Sequence, residues 1–411
     1  MGTSDVLLRN GRVESATGTF RTAAYWSVVL LVFSIPWQVS IQIASVGTIS
    51  KLLGFVAAGV AVVAVLLQGV RHRLTDAHAV VIAFTAWTLL STSWSLFPAD
   101  SREAAITSVQ LVVMVLLIWE FADTAPKILG VMRAFVGGSI VTAGSVIQQY
   151  IVLGEGASRY TGTGAHPNDV AFVLCLAIPL AWYISLRTPS SLERLLGRAY
   201  IALALYAVVL TASRSALLVA GLALLIIPIS YPALTWRWRL GLMLAIGLSL
   251  AVVPAMLPER QIERLATIST ELEGGDLNSR VEIWQAALEV MDQEPVTGTG
   301  VGAGRRLIAT TYGQAEGAHN TYLSVALETG AVGLALFLLV LYVVFRRAAQ
   351  VRGLERGLIV VIGLCLLVGL LPRHWEDEKA LWVMLSIVIA IGVRGVPLGR
   401  QRGSLPDDLP A

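Results

Sequence analysis

Charge is scarce in this sequence. Of its 411 residues 14% are Asp, Glu, Lys or Arg, against about a quarter in an ordinary soluble domain, which argues against a soluble enzyme. Cysteine is scarcer still. Cys175 and Cys365 both sit inside apolar runs, far from any partner at metal-ligand spacing, and read as small helix-packing residues rather than a disulfide or a metal site. No heptad array, solenoid period or low-complexity tract is present, and the short alternating segments of a β-barrel are missing too. What is there is apolar: 56% of residues are hydrophobic and the mean hydropathy is +0.73. Lipid offers no partners to exposed backbone groups, so such segments form helices, each needing about 20 residues to cross. The expectation is an all-α integral membrane protein.

Twelve spans are predicted, over about 23–40, 49–68, 78–94, 104–121, 128–152, 170–186, 199–212, 215–231, 239–257, 321–345, 357–372 and 380–394. Only Ser213-Arg214 separates the seventh from the eighth. The first 22 residues are polar, and no cleavage site follows the apolar run after them, so that run reads as a retained helix. Cytoplasmic loops carry an excess of Lys and Arg. With the N-terminus inside, the cytoplasmic connections hold 19 basic residues, the short outer ones 6 and a long outer loop 5. Both termini are therefore expected in the cytoplasm. The net charge of +3 and pI near 8.9 express topology, and no nucleic acid is implied. The resulting division is a cytoplasmic segment 1–22, spans over 23–257, an outer loop 258–320, spans over 321–394 and a polar tail 395–411.

The outer loop holds most of the chemistry. Ser279 followed by Glu282 fits a capping box, and Val281, Trp284, Leu288 and Met291 recur at helical spacing, predicting an amphipathic helix with Arg280 in its first turn. Gly298, Gly300, Gly302 and Gly304 follow. No Gly-Lys-Ser/Thr comes after them, so this is not a nucleotide P-loop; the run reads as a tight structural turn or as amides facing an anion. His319 and Asn320 then precede the tenth span. An imidazole titrating near 6.5 suits proton abstraction from a hydroxyl at neutral pH, and Asn320 would orient it or cap the helix.

Two other patches face the same side. Thr211-Ala212-Ser213-Arg214-Ser215 leaves a guanidinium at the outer membrane boundary, either a snorkelling anchor or a phosphate clamp. Arg159 and His166 stand in the connection before the sixth span, where Pro167 suits a helix entrance and Asn168 a cap.

These patches resemble the O-antigen ligase and polymerase superfamily of membrane glycosyltransferases. The resemblance covers about residues 155–345. It rests on Gly164-Ala165-His166-Pro167-Asn168-Asp169-Val170-Ala171, on Ser213-Arg214-Ser215, on Arg280 with Trp284 followed by Pro295 and the glycine run, and on His319-Asn320 followed by Gly330 and Gly333. It implies a GT-C-like fold and inverting, metal-independent transfer of a glycan from undecaprenyl diphosphate. For a ligase it implies a sugar hydroxyl of lipid A-core as acceptor, at the periplasmic face of the bacterial inner membrane. Carried onto this chain, Arg214 and Arg280 would neutralise the donor diphosphate and His319 would be the general base. Arg159, His166, Asn168, Asn320 and Arg305 would contact diphosphate or glycan. No cofactor is expected. Glu271, Glu273 and Asp276 are the nearest approach to an acidic cluster in the loop. A polymerase acting on a second carrier-linked glycan would use the same residues. A protein-directed oligosaccharyltransferase and a transporter are the remaining readings, and no inverted repeat favours the latter.

Overall fold

The computed structural model describes residues 3–44, 46–154, 157–162, 164–231, 236, 280–312 and 317–394. They form α1 (Thr3–Ser34), α2 (Ile49–Gln68), α3 (Asp76–Ser91), α4 (Pro98–Phe121), α5 (Ala125–Leu153), α6 (Pro167–Arg187), α7 (Ser191–Leu210), α8 (Arg214–Leu224) and α9 (Ile226–Ser230). After the undescribed stretch come α10 (Arg280–Met291), α11 (Gly304–Tyr312), α12 (Thr321–Phe345), α13 (Gly353–Gly369) and α14 (Lys379–Arg394). The only sheet among the described residues pairs Gln42–Ile43 with Gly47–Thr48. The ninth predicted span, Ser279 of the expected capping box, the acidic trio Glu271, Glu273 and Asp276, and the tail 395–411 lie outside the described residues.

The fold is all-α and multi-pass. Among the described residues seven helices are long and apolar enough to cross a membrane, and the Arg214–Ser230 stretch is a shorter apolar candidate. Helix α6 is central, packed by α5, α7, α8 and α13, with nearly every residue from Val170 to Ser185 buried. Helix α12 packs on α3, and α1 on α2, α4 and α5. The two cysteines are free and buried, Cys175 donating to Ala216 O at 3.3 Å, as expected of packing residues.

Several basic residues of the predicted cytoplasmic end are paired with carboxylates. Arg21 donates to buried Glu120 at 2.6 Å, and Glu120 also accepts the amides of Arg71 and His72. Arg133 pairs with Glu193, Arg187 with Glu355, and Arg346 and Arg347 with Asp76.

At the opposite end the glycine run binds a carboxyl group supplied by this chain. Gly302 and Gly304 donate their amides to the Glu328 carboxylate at 2.8 and 3.2 Å, and Gly300 donates to the Glu328 carbonyl at 2.9 Å. The run is thus a structural turn whose amides are already occupied, and they are not open to a ligand. Gly330 interrupts α12 at φ 69, where a Cβ would lie 2.1 Å from Val296 O. Gly330→Ala combines left-handed strain with that overlap, so the fold should lose about 2–4 kcal/mol, read as a lower melting temperature in detergent.

Helix α10 forms as predicted, but its buried face differs. Ile283, Ala286, Ala287 and Val290 are buried, whereas Leu288 is 46% exposed. The expected stripe of Val281, Trp284, Leu288 and Met291 follows helical spacing on a neighbouring face. The face that packs against Ile308, Ala318 and Leu327 is that of Ile283, Ala286, Ala287 and Val290, with Met291 at its edge.

Candidate active site

The site is assembled from the connections at the end of the bundle that carries the glycine run. Helix α7 ends at Leu210, Ala212 takes a left-handed φ of 50°, and α8 begins at Arg214. Arg159 braces this corner. Its Nε donates to Thr211 O at 2.9 Å and its Nη2 to Asn168 Oδ1 at 2.7 Å, while Tyr160 N donates to Leu210 O. Asn168 is therefore not the helix cap. That role falls to His166, whose Nδ1 accepts the Asn168 amide at 3.3 Å, with Pro167 in the first turn as expected. An Nδ1 acting as acceptor puts the proton of neutral His166 on Nε2. Burial lowers the His166 pKa; Asp169 opposes this, and the charges of Arg159, His319 and Arg373 add to it.

His319 sits one corner away, its ring centroid 6.4 Å from that of His166. Its φ of 45° is left-handed, uncommon for a side-chain-bearing residue. Both sides of the turn are anchored. Trp284 Nε1 of α10 donates to Ala318 O at 2.9 Å, and Asn320 Oδ1 caps α12 by accepting Tyr322 N and Leu323 N at 3.0 and 3.2 Å. Trp284 thereby ties the helix that carries Arg280 to the His319 turn. Asn320 serves as a cap, one of the two roles its position allows.

Sequence reasoning passed over Arg373 and His374, which lie in the connection between α13 and α14. Arg373 is 2% exposed and stacks its guanidinium 4.4 Å from the Phe172 ring centroid. It donates to Asn168 O (2.8 Å from Nη2) and Gly369 O (3.0 Å), and lies 3.8 Å from Asp169. Asp169 in turn accepts Trp375 Nε1 at 2.8 Å. Burial pushes the Arg373 pKa down to about 10, which still leaves it cationic at neutral pH. Its Nη2 also lies 3.5 Å from Ser215 Oγ, beside Arg214, and the charge of Arg280 is felt there. Arg373 thus links the start of α6, the end of α13 and the start of α8. The signal for this segment was the dense charged run from Arg373 to Lys379 between two apolar stretches.

His374 Nδ1 lies 2.7 Å from Ser324 Oγ and 3.4 Å from Glu376. Burial works against its protonation, but Glu376, Asp377 and Glu328 outweigh that and push its pKa up to about 9. Glu378 is pushed up to about 8, by burial first and then by Asp377 and Asp169. A raised folded-state pKa on histidine stabilises fully below its unfolded value near 6.5, and that stability is lost as pH rises through the folded value. For Glu378 the raised value favours the protonated fold, and ionisation on raising the pH weakens it in the same direction. The melting temperature should therefore fall from about pH 4.5 to 9, the share of Glu378 being lost between 4.5 and 8 and that of His374 between 6.5 and 9, and His374→Gln should flatten the upper part of that slope.

The structure brings His166, His319, Arg373 and His374 to one end of the bundle, with Arg214 at the start of α8 and Arg280 in α10 tied to the same connections. Arg305 is exposed on α11, and its charge is felt at His374. Its neighbour Arg306 pairs with Asp100. Cations gathered around a neutral imidazole can hold a diphosphate leaving group and accept a proton from an attacking hydroxyl.

No curated protein matches the chain. Residues 199–338 match the family described as O-antigen ligase. The match takes in Arg214, Arg280, Arg305, His319 and Asn320, begins after Arg159, His166 and Asn168, and stops before Arg373. The chain is therefore a multi-pass membrane protein that over residues 199–338, about a third of its length, is similar to the O-antigen ligase family.

Proposed function

We propose that the protein is a ligase-type glycosyltransferase. It moves a glycan from undecaprenyl diphosphate to a sugar hydroxyl of lipid A-core at the periplasmic face of the bacterial inner membrane. In this reading the chain is GT-C-like with about twelve spans, both termini are cytoplasmic, and 258–320 forms the periplasmic loop. The observation that carries the reading is that one family match spans Arg214, Arg280 and His319. These residues belong to connections held together by Arg373 and Trp284.

The mechanism uses this chain's own groups. Arg214 and Arg280 hold the diphosphate and stabilise the charge that develops as the bond to the anomeric carbon breaks. His319 removes the proton of the acceptor hydroxyl as it attacks from the opposite face, giving inversion without a metal. Neutral His166 lies close enough to orient the acceptor or the His319 ring through Nε2–H. Arg159, Asn168 and Asn320 hold the surrounding corners, and Arg305 is placed to meet the glycan.

The test is transfer by the purified protein from an undecaprenyl-diphosphate glycan, offered either lipid A-core or further carrier-linked glycan. Product on lipid A-core supports the ligase. Lengthened carrier-linked chains would make it a polymerase, and transfer to neither acceptor would remove the enzyme reading.

A further inference from the structure

A cleft of about 190 Å³ opens on the flank of the bundle between α1, α2 and α4. Leu31, Gly54, Phe55, Ala58, Leu111 and Met114 wall it. The α2 and α4 members recur at three- and four-residue spacing, so the walls run along the helix axes as a trough. From Thr107 to Leu117, both lining residues, α4 advances about 15 Å. Phe55 is 58% exposed, and only 22% of the α2 span is buried inside the protein. The trough therefore faces lipid, on the least buried of the seven spans.

One end of the trough carries Lys51, in the first turn of α2, and Lys379, the first residue of α14. Lys379 donates to Gln38 Oε1 at 2.9 Å. Neither ammonium has a carboxylate within ion-pair distance among the described residues; Glu378 and Asp377 favour the Lys379 charge from farther off, and Lys51 opposes it. Glu378, beside them, is turned to Gln38 Nε2 at 3.4 Å. Two cations without an ion-pair partner, above a linear apolar trough, complement a net-negative headgroup on a hydrocarbon chain. Free phosphate would leave the apolar walls unfilled, and a zwitterionic headgroup would leave the charge unmatched.

We propose that this trough binds an anionic glycerophospholipid, with one acyl chain between α1, α2 and α4 and its phosphate on Lys51 and Lys379. The proposal is independent of the transferase reading. The carrier diphosphate in that reading belongs to Arg214 and Arg280, neither of which lines the trough, so this is a second lipid position. Its effect would be to fasten α2 to the bundle.

The experiment is native mass spectrometry of the full-length protein in neutral detergent with phosphatidylglycerol, phosphatidylcholine or undecaprenyl phosphate. The unsubstituted protein should retain phosphatidylglycerol at least tenfold better than phosphatidylcholine, and the double variant K51Q/K379Q should lose that preference. Gly54→Leu tests the chain half separately. A Cβ there meets only Leu31 Cδ1, at 3.9 Å, so leucine grows into the trough without backbone strain and should lower retention of both phospholipids at least tenfold. Equal retention of the two phospholipids, or retention unchanged in both variants, would overturn the proposal. Tighter retention of undecaprenyl phosphate through the same lysines would also overturn it, by making the trough a carrier site.

Discussion

Arg214→Ala and Arg280→Ala should each slow glycan transfer by at least about 10²–10³-fold, the scale seen when one preorganised donor to a developing anion is removed. The melting temperature should change little, because neither residue belongs to the buried core. The reason is differential. Diphosphate gains negative charge as it leaves, so a fixed guanidinium binds the transition state more tightly than the ground state. Lysine at either position keeps the charge but loses the planar fork, and should give a rate between those of the arginine and alanine proteins. Measured rates with saturating donor would decide the matter. A near-normal rate in either alanine variant would remove that arginine from the mechanism.

His319→Ala should cost about 10²–10⁴-fold, the usual contribution of a general base. This position has a complication, since the φ of 45° is strained for alanine and the turn itself could shift. Asparagine tolerates the left-handed region far better and cannot act as a base. His319→Asn should therefore keep the turn, the Trp284 bond and the fold while losing the rate. If His319→Asn is active and His166→Asn is not, the base is His166, its neighbour at 6.4 Å. Equal full activity in both would leave the histidine pair without a catalytic role.

Much of this was legible in the chain. Helices α2, α5, α6 and α12 lie close to their predicted spans. The break at Ser213-Arg214 is a real corner, and residues from Arg280 to Met291 are helical. These are local properties: hydropathy summed over one crossing, a helix start, a turn. Other features were not legible because their partners are remote. Asn168 looked like a cap from its immediate neighbours, yet Arg159 claims its side chain and His166 caps the helix. The face of α10 differs because two apolar stripes at helical spacing run side by side on it, and only the surface it meets selects between them.

The sequence by itself determined the all-α membrane character and the candidacy of Arg214, Arg280 and His319. Each of these follows from residue chemistry over a short window. Only the tertiary structure decided that the glycine amides are filled by Glu328, and that the corners meet through Arg373. It alone set His166 beside His319. Asn168 and Arg373 are 205 positions apart in the chain; no short-range periodicity encodes such a pairing, and packing around the central helix α6 brings it about.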